Sequence, residues 1–185
     1  MGMTSLRASF IVISLALVLA PACAVHVSDA GEPRSNRPAS SYPRAKPVTG
    51  KPGEFPVTKT DAEWKKQLTA AQHYILRQAG TERPGSSALV AEHGAGEFYC
   101  AADHNLLFHS TEKFESGTGW PSFFAPATDD SVKVASDTSL GMSRDEIVCA
   151  KCGGHLGHVF DDGPAPTGKR YCMDGDAMTF EKAKK

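Results

Sequence analysis

The chain has 185 residues, 20 Lys and Arg against 21 Asp and Glu, and a formal net charge of −1. That length suits one ordinary domain with a buried core, and the balanced charge supplies no basic surface for phosphate-rich partners, which excludes nucleic acid as the expected ligand. Five cysteines and seven histidines are the groups best able to carry chemistry, so their placement decides the reading.

A short n-region ending at Arg7 precedes an apolar run from Phe10 to Leu19, with small residues at Ala20-Pro21-Ala22 and Ala22-Cys23-Ala24. This pattern predicts a secretory signal peptide over residues 1–24. Two alternatives stand beside it. An uncleaved anchor is one, because the uncharged stretch from Ala8 to Val25 approaches the roughly 18 apolar residues that can span a bilayer, although Ser14 and Pro21 weaken such a helix. A lipoprotein acylated at Cys23 is the other, although Leu19-Ala20-Pro21-Ala22 only partly fits a lipobox. The expected location is periplasmic or secreted, with membrane contact only through a lipid anchor at Cys23.

Residues 25–56 shift to Pro, Ser, Arg and Lys and hold six of the twelve prolines. Such a segment buries too little apolar surface to offset its ordering entropy and is expected to be an extended tether. The folded domain is expected over residues 57–182. Thr60 and Glu63 stand three apart as a capping box ahead of Trp64, Leu68, Ala71 and Ile75, which predicts one helix ending at Gly80. Trp64 on that stripe is read as core.

Beyond the helix the pattern changes to short apolar runs between turn residues. They are Glu97 to Cys100, Leu106 to His109, Val132 to Ala135, Glu146 to Cys149, His158 to Phe160, Arg170 to Met173 and Met178 to Phe180. Runs of that length, rich in Phe, Val and Tyr, predict antiparallel strands and a mainly β domain with a helical lead-in.

Cys149-Ala150-Lys151-Cys152 followed by Gly153-Gly154 is a knuckle that can aim two sulfurs at one ion. Cys100-Ala101-Ala102-Asp103 has the spacing of a second pair with a carboxylate as the fourth ligand, and His104 beside it is a further candidate. A Cys3Asp zinc site is one reading of Cys100, Asp103, Cys149 and Cys152. The other is a Cys149–Cys152 disulfide, which an exported protein permits.

Cys172 stands apart from that cluster. Arg170 and Asp174 lie two residues either side, on the same strand face. A thiol near pKa 8.5 is only a few per cent thiolate at neutral pH, and the thiolate is the nucleophile. The Arg170 guanidinium should favour ionisation. A charged Asp174 should oppose it, whereas a protonated Asp174 could donate a proton. On residue type alone Cys172 would be a small buried hydrophobe.

Three long runs change that expectation: KFESGTGWPSFF from Lys113 to Phe124, HLGHVFDDGP from His155 to Pro164 with PTG following, and RYC at Arg170 to Cys172. Together they closely resemble the B-type methionine sulfoxide reductases, the MsrB family, over roughly Thr60 to Phe180. The resemblance implies two antiparallel β-sheets with short helices, and reduction of the R epimer of methionine sulfoxide in proteins or peptides. It also implies a structural zinc in members that keep two CxxC pairs. Carried over by position, Cys172 matches the nucleophile and Trp120 the aromatic that receives the substrate methyl group. His155 and His158 match the active-site histidines, and Arg170 the arginine of the RYC run. Asp174 stands where the family usually has asparagine, which exchanges an amide donor for a titratable acid.

The residues agree with that assignment chemically. A sulfoxide offers a methyl group, a polarised S–O bond and an electrophilic sulfur, and therefore needs an apolar wall, proton donors and a thiolate. Attack by Cys172 would leave a sulfenic acid, which a second thiol must reduce. Many family members carry that resolving cysteine where this chain has Thr118. Cys100, Cys149 and Cys152 can replace it only if they hold no metal and reach Cys172; otherwise an external, thioredoxin-like thiol is the partner. A monomer repairing oxidised exported proteins is the expected context. The competing readings are a non-catalytic, metal-stabilised β module and a dithiol oxidoreductase using Cys149 and Cys152. The joint presence of Trp120, His158 and Cys172 argues against the first, and the absence of a βαβ context against the second.

Overall fold

The structure, a computed structural model, describes Met1 and residues 39–49, 51, 53–138 and 143–184. The chain divides into two units, residues 1–33 and 34–185, and apart from Met1 the described residues all belong to the second. The signal segment and Cys23 lie outside the described residues. Among the described residues, no helix is long and apolar enough to cross a membrane.

Thr60 begins the first helix as expected, with a reciprocal bond pair to Glu63. The single helix expected up to Gly80 is however two: α1, Asp61–Gln67, and α2, Ala70–Gln78. The break has a local cause. Thr69 is itself an N-cap whose side chain accepts from Gln72 N, while the Gln72 side chain accepts from Thr69 N, so a second capping box competes with helix continuation. The restart changes the phase of the buried stripe. Trp64, Leu68 and Ile75 are buried as expected, but His73 and Leu76 join them and Ala71 is exposed. His73 Nε2 lies 2.7 Å from Asp61 Oδ1 and ties the two helices together.

Of the ten strands among the described residues, seven follow the runs of the sequence closely. Gly96–Cys100 (β2), Leu106–His109 (β3) and Met178–Lys182 (β10) form a three-stranded antiparallel sheet in the order β10-β2-β3. The larger sheet has seven strands: Lys46–Pro47 (β1), Lys113–Phe114 (β4), Ser122–Phe123 (β5), Val132–Asp137 (β6), Arg144–Cys149 (β7), His155–Phe160 (β8) and Arg170–Met173 (β9). Its order is β1-β6-β7-β8-β9-β5-β4, and every pairing is antiparallel except β1 with β6. The mainly β, two-sheet expectation is therefore met. The sheets share one core in which Phe98 of β2 and Phe108 of β3 close on Phe123 of β5, with ring centroids 4.9 and 4.2 Å from it. All three rings are fully buried.

Residues 39–49, read from composition as part of a tether, instead pack on this domain. Tyr42 is 3% exposed and meets Phe124 edge-on at 5.5 Å. Lys46 and Pro47 pair with Lys133 and Val134, and Val48 N donates to Val134 O at 2.8 Å. The segment thus covers the outer edge of β6, a row of backbone groups that would otherwise be open to pairing with another chain. Farther on, Phe55 lies against Gly153 of the cysteine knuckle, and Val57 N donates to Lys151 O.

Candidate active site and metal centre

Sheet register assembles the site around Cys172. In the central strands Glu146 lies opposite His158, His158 opposite Cys172, and Cys172 opposite Ser122. Directly opposed residues share one face of a sheet, with Cβ atoms about 4.5–5.5 Å apart. The nucleophile candidate therefore has an imidazole on one side and a hydroxyl on the other, though the four residues come from four strands.

His155 and His158 are three apart and would ordinarily face opposite sides of a strand. The pairing slips between Ile147, opposite Gly157, and Val148, opposite His155, so Leu156 is an extra residue on β8. This bulge turns both histidines toward the same side, with ring centroids 5.4 Å apart. Gly157 at its centre has φ +145, and a Cβ there would stand 2.2 Å from the Cys172 carbonyl oxygen. Only glycine permits β8 to lie so close to the nucleophile's own backbone.

The two histidines are held in opposite electrostatic states. Burial works against a charged His155, but the neighbouring carboxylates of Asp174 and Glu146 outweigh it and lift the ring to about 9. His155 Nδ1 lies 2.6 Å from Glu146 Oε1. Its Nε2 is 3.7 Å from Asp174 Oδ2, beyond hydrogen-bond range, and is buried without a hydrogen-bond partner among the described residues. Burial depresses His158 below the ordinary 6.5, and Arg144 and His155 add to the effect against the contrary pull of Asp137. His158 Nε2 lies 2.9 Å from Asp137 Oδ2, which also accepts from Arg144.

Cys172 is half-buried and not in a disulfide. Burial raises its thiol above the ordinary range; Thr118, Arg170 and Ser122 pull the other way, and Asp174 adds to the rise. Arg170 acts in the expected direction, but desolvation prevails. One reason is that the guanidinium is already engaged, making two 2.8 Å bonds to Asp162 and resting on the Phe160 ring.

Trp120 sits in the loop that brings Thr118 to the thiol. Gly117 and Gly119 adopt positive φ, and a Cβ on Gly119 would meet Pro84 at 2.9 Å. Thr118 Oγ1 lies 3.9 Å from Cys172 Sγ and 2.8 Å from Ser116 Oγ, which accepts in turn from Ser122. Pro121 O accepts from Met173 N, locking the loop to β9, and the half-buried Trp120 indole donates to Glu82 O at 3.3 Å.

Asp174 is 3% exposed, and its Oδ1 accepts from Glu82 N at 2.8 Å. The register thus sets His158 beside Cys172 and the bulge adds His155; Asp174 stands 3.7 Å from His155, Trp120 follows Thr118 in the loop that reaches the thiol, and Arg170 bears on the thiol while bonded to Asp162. Sequence reasoning missed Glu146, Asp137 and Glu82. A glutamate at the head of the run read as β7 was a signal for the first; the other two carry none, because their contacts depend on folding.

Cys100, Asp103, Cys149 and Cys152 form a second cluster, their ligand atoms all within 4.8 Å of one another. All four described cysteines are free, so the disulfide alternative for Cys149 and Cys152 is not what the fold forms. Cys100 and Cys152 sulfurs stand 3.8 Å apart, the separation of about 3.8 Å expected for two sulfurs each about 2.3 Å from one tetrahedral ion. Asp103 oxygens lie 3.4 and 3.6 Å from Cys149 Sγ. The donor set therefore fits zinc. His104 is not part of it: its ring stacks on Tyr99 and its Nε2 lies 2.7 Å from Glu181. Around the cluster, Arg77 donates to the Cys152 carbonyl and approaches its sulfur at 3.7 Å, and Asn105 reaches Cys149 Sγ at 3.6 Å.

Comparison with known proteins covers the stretch of chain that holds both clusters. Residues 68–182 match the SelR domain. A peptide methionine sulfoxide reductase MsrB from Methanosarcina barkeri is 54% identical over 125 residues, spanning 68% of this chain and 88% of the relative. The protein of the same name from Leptospira interrogans is 52% identical over 128 residues, spanning 69% of this chain and 98% of its own. That of Agrobacterium fabrum is 51% identical over 125 residues, spanning 68% and 93%.

Proposed function

The chain belongs to the SelR-domain family of B-type methionine sulfoxide reductases, and from that membership we propose how its own residues carry the reaction. It is an oxidoreductase that reduces methionine sulfoxide in peptides; a non-catalytic module is not favoured. The observation that carries the mechanism is the row Glu146, His158, Cys172 and Ser122, which sets a thiol beside an imidazole held in its neutral form.

At rest Cys172 is a thiol, and His158 takes its proton as attack begins. The sulfur attacks the sulfoxide sulfur of the R epimer while the substrate methyl rests on Trp120. His155, charged at neutral pH, donates a proton toward the departing oxygen. The pair is divided as acid–base partners require, one ring raised and one lowered. The S–O bond breaks as the oxygen, taking a second proton from His158, leaves as water; water then attacks Cys172 Sγ and returns a proton to His155, the S–S bond breaks, methionine leaves, and Cys172 is left as a sulfenic acid, the thiol having supplied the two electrons. Asp174 and Glu146 keep His155 charged and in place.

The sulfenic acid is then reduced by an external dithiol. Its first sulfur forms a mixed disulfide with Cys172 and releases water; its second releases Cys172 as thiol and leaves the reductant as a disulfide. Thr118 stands within 3.9 Å of Cys172 but has no sulfur to offer. Cys149 lies two strands and three residues from Cys172 in the register, roughly 14 Å on standard sheet spacings, against the roughly 6.8 Å limit of a disulfide. Zinc, held by Cys100, Asp103, Cys149 and Cys152, would supply cross-linking of the knuckle rather than chemistry at Cys172. Export, from the basic n-region and apolar run before Cys23, places the substrates among exported proteins oxidised in place.

Single-turnover reduction of an R-sulfoxide peptide tests the assignment. Cys172→Ser is expected to abolish it, whereas Cys149→Ser is expected to leave the first turnover intact. Normal turnover in Cys172→Ser contradicts the mechanism.

A further inference from the structure

Glu82, in the connection after α2, makes four hydrogen bonds that meet nowhere else in the fold. Its carbonyl accepts from the Trp120 indole at 3.3 Å and its N–H donates to Asp174 Oδ1 at 2.8 Å. Its carboxylate accepts from Gly175 N through Oε1 at 2.8 Å and from Asp176 N through Oε2 at 2.9 Å. The Asp174 side chain therefore holds the backbone of residue 82, while the Glu82 carboxylate holds the backbone of Gly175 and Asp176 that follow Asp174.

We propose that Glu82 is a positioning residue that fixes the aromatic methyl wall relative to the Asp174–His155 pair. The inference rests on the reading of Cys172 as the reductase nucleophile. The backbone of residue 82 is the shared element: one peptide unit faces Trp120 and the other Asp174. That backbone lies in a loop outside both sheets; Gly85 N donates to Gly119 O at 2.7 Å farther along it, and the bidentate carboxylate is what ties residue 82 itself to the backbone of the turn that follows β9. The turn is itself tightly packed, since a Cβ on Gly175 would stand 2.1 Å from Ser87 Oγ. The anchor is thus a rigid one. Without the carboxylate, residue 82 can shift, and the indole and the Asp174 carboxylate lose their common reference. Glu82 touches no atom of Cys172 in any contact of the structure, so its influence falls on how the sulfoxide methyl is seated.

Glu82→Ala is therefore expected to lower kcat/KM for an R-sulfoxide peptide by tenfold or more, with most of the loss in KM. Glu82→Gln keeps one acceptor oxygen for Gly175 N–H and is expected to recover part of it. The rate of Cys172 alkylation by iodoacetamide should be unchanged in both, and thermal melting identifies the temperature range in which each is folded. A structural role alone would lower the melting temperature and leave KM where it was. A folded Glu82→Ala with KM within twofold of wild type overturns the inference; if that variant does not fold, an unchanged KM in Glu82→Gln overturns it equally. A wild-type chain that fails to reduce the peptide overturns the reductase reading beneath it, and the inference with it. Wild-type turnover with indifferent Glu82 variants overturns the inference alone.

Discussion

Around Cys172, burial holds the thiol above its ordinary range, and the hydroxyls of Thr118 and Ser122 and the charge of Arg170 offset it only in part. Reactivity in the resting state is thus kept low until His158 takes the proton. The pH dependence of kcat/KM follows from the two histidines. His158, depressed below 6.5, must be neutral, so activity falls as pH drops through a value under 6.5. His155, lifted to about 9, must be charged, so activity falls again as pH rises through about 9. A plateau between those limits is expected, and His155→Gln should remove the alkaline limb while lowering the plateau about 10²- to 10⁴-fold, the usual contribution of a positioned acid. A wild-type profile still rising beyond pH 10 would contradict the assignment of His155. Cys172, Trp120, His155 and His158 were legible because each sits inside a long local run. Glu82 was not, since it meets Asp174 across 92 positions of chain.

Among the elements, β8 decides the geometry. Its bulge at Leu156 turns HLGH from a strand with histidines on opposite faces into one that presents both. Gly157→Ala puts a methyl 2.2 Å from the Cys172 carbonyl at φ +145, and a strained residue of this kind costs roughly 1–3 kcal/mol before any clash is counted. The expected result is a urea midpoint well below wild type together with loss of activity in the folded fraction. Gly168→Ala is the control: it also has positive φ, but nothing lies within 4 Å of its Cβ, so activity should survive. Equal effects of the two substitutions would mean that β8 tolerates a wider approach to β9. Seven strands were visible as apolar runs because alternation and turn residues mark them. The two-residue strands β1, β4 and β5 were not, because two residues carry no period. The break between α1 and α2 was written in Thr69 and Gln72, yet the apolar spacing of Trp64, Leu68 and Ile75 ran across it unbroken.

At the scale of the molecule, residues 39–49 cover one edge of the larger sheet. Composition read that edge as tether, because proline content says nothing of a single buried tyrosine or a short parallel pairing. The cluster of Cys100, Asp103, Cys149 and Cys152 offers its own test. The purified chain is expected to hold one zinc, Asp103→Ala to lose it to a chelator and melt several degrees lower, and Asp103→Cys to retain it longer than wild type. No difference in chelator resistance among the three would exclude Asp103 as a ligand. The most direct measurement of the whole account is mass spectrometry of the chain after one equivalent of an R-sulfoxide peptide, with a thiol label and without reductant. The account predicts reduced peptide and loss of labelling at Cys172 alone. Reduced peptide with Cys172 still fully labelled, or paired loss at Cys172 and a knuckle cysteine, would contradict it.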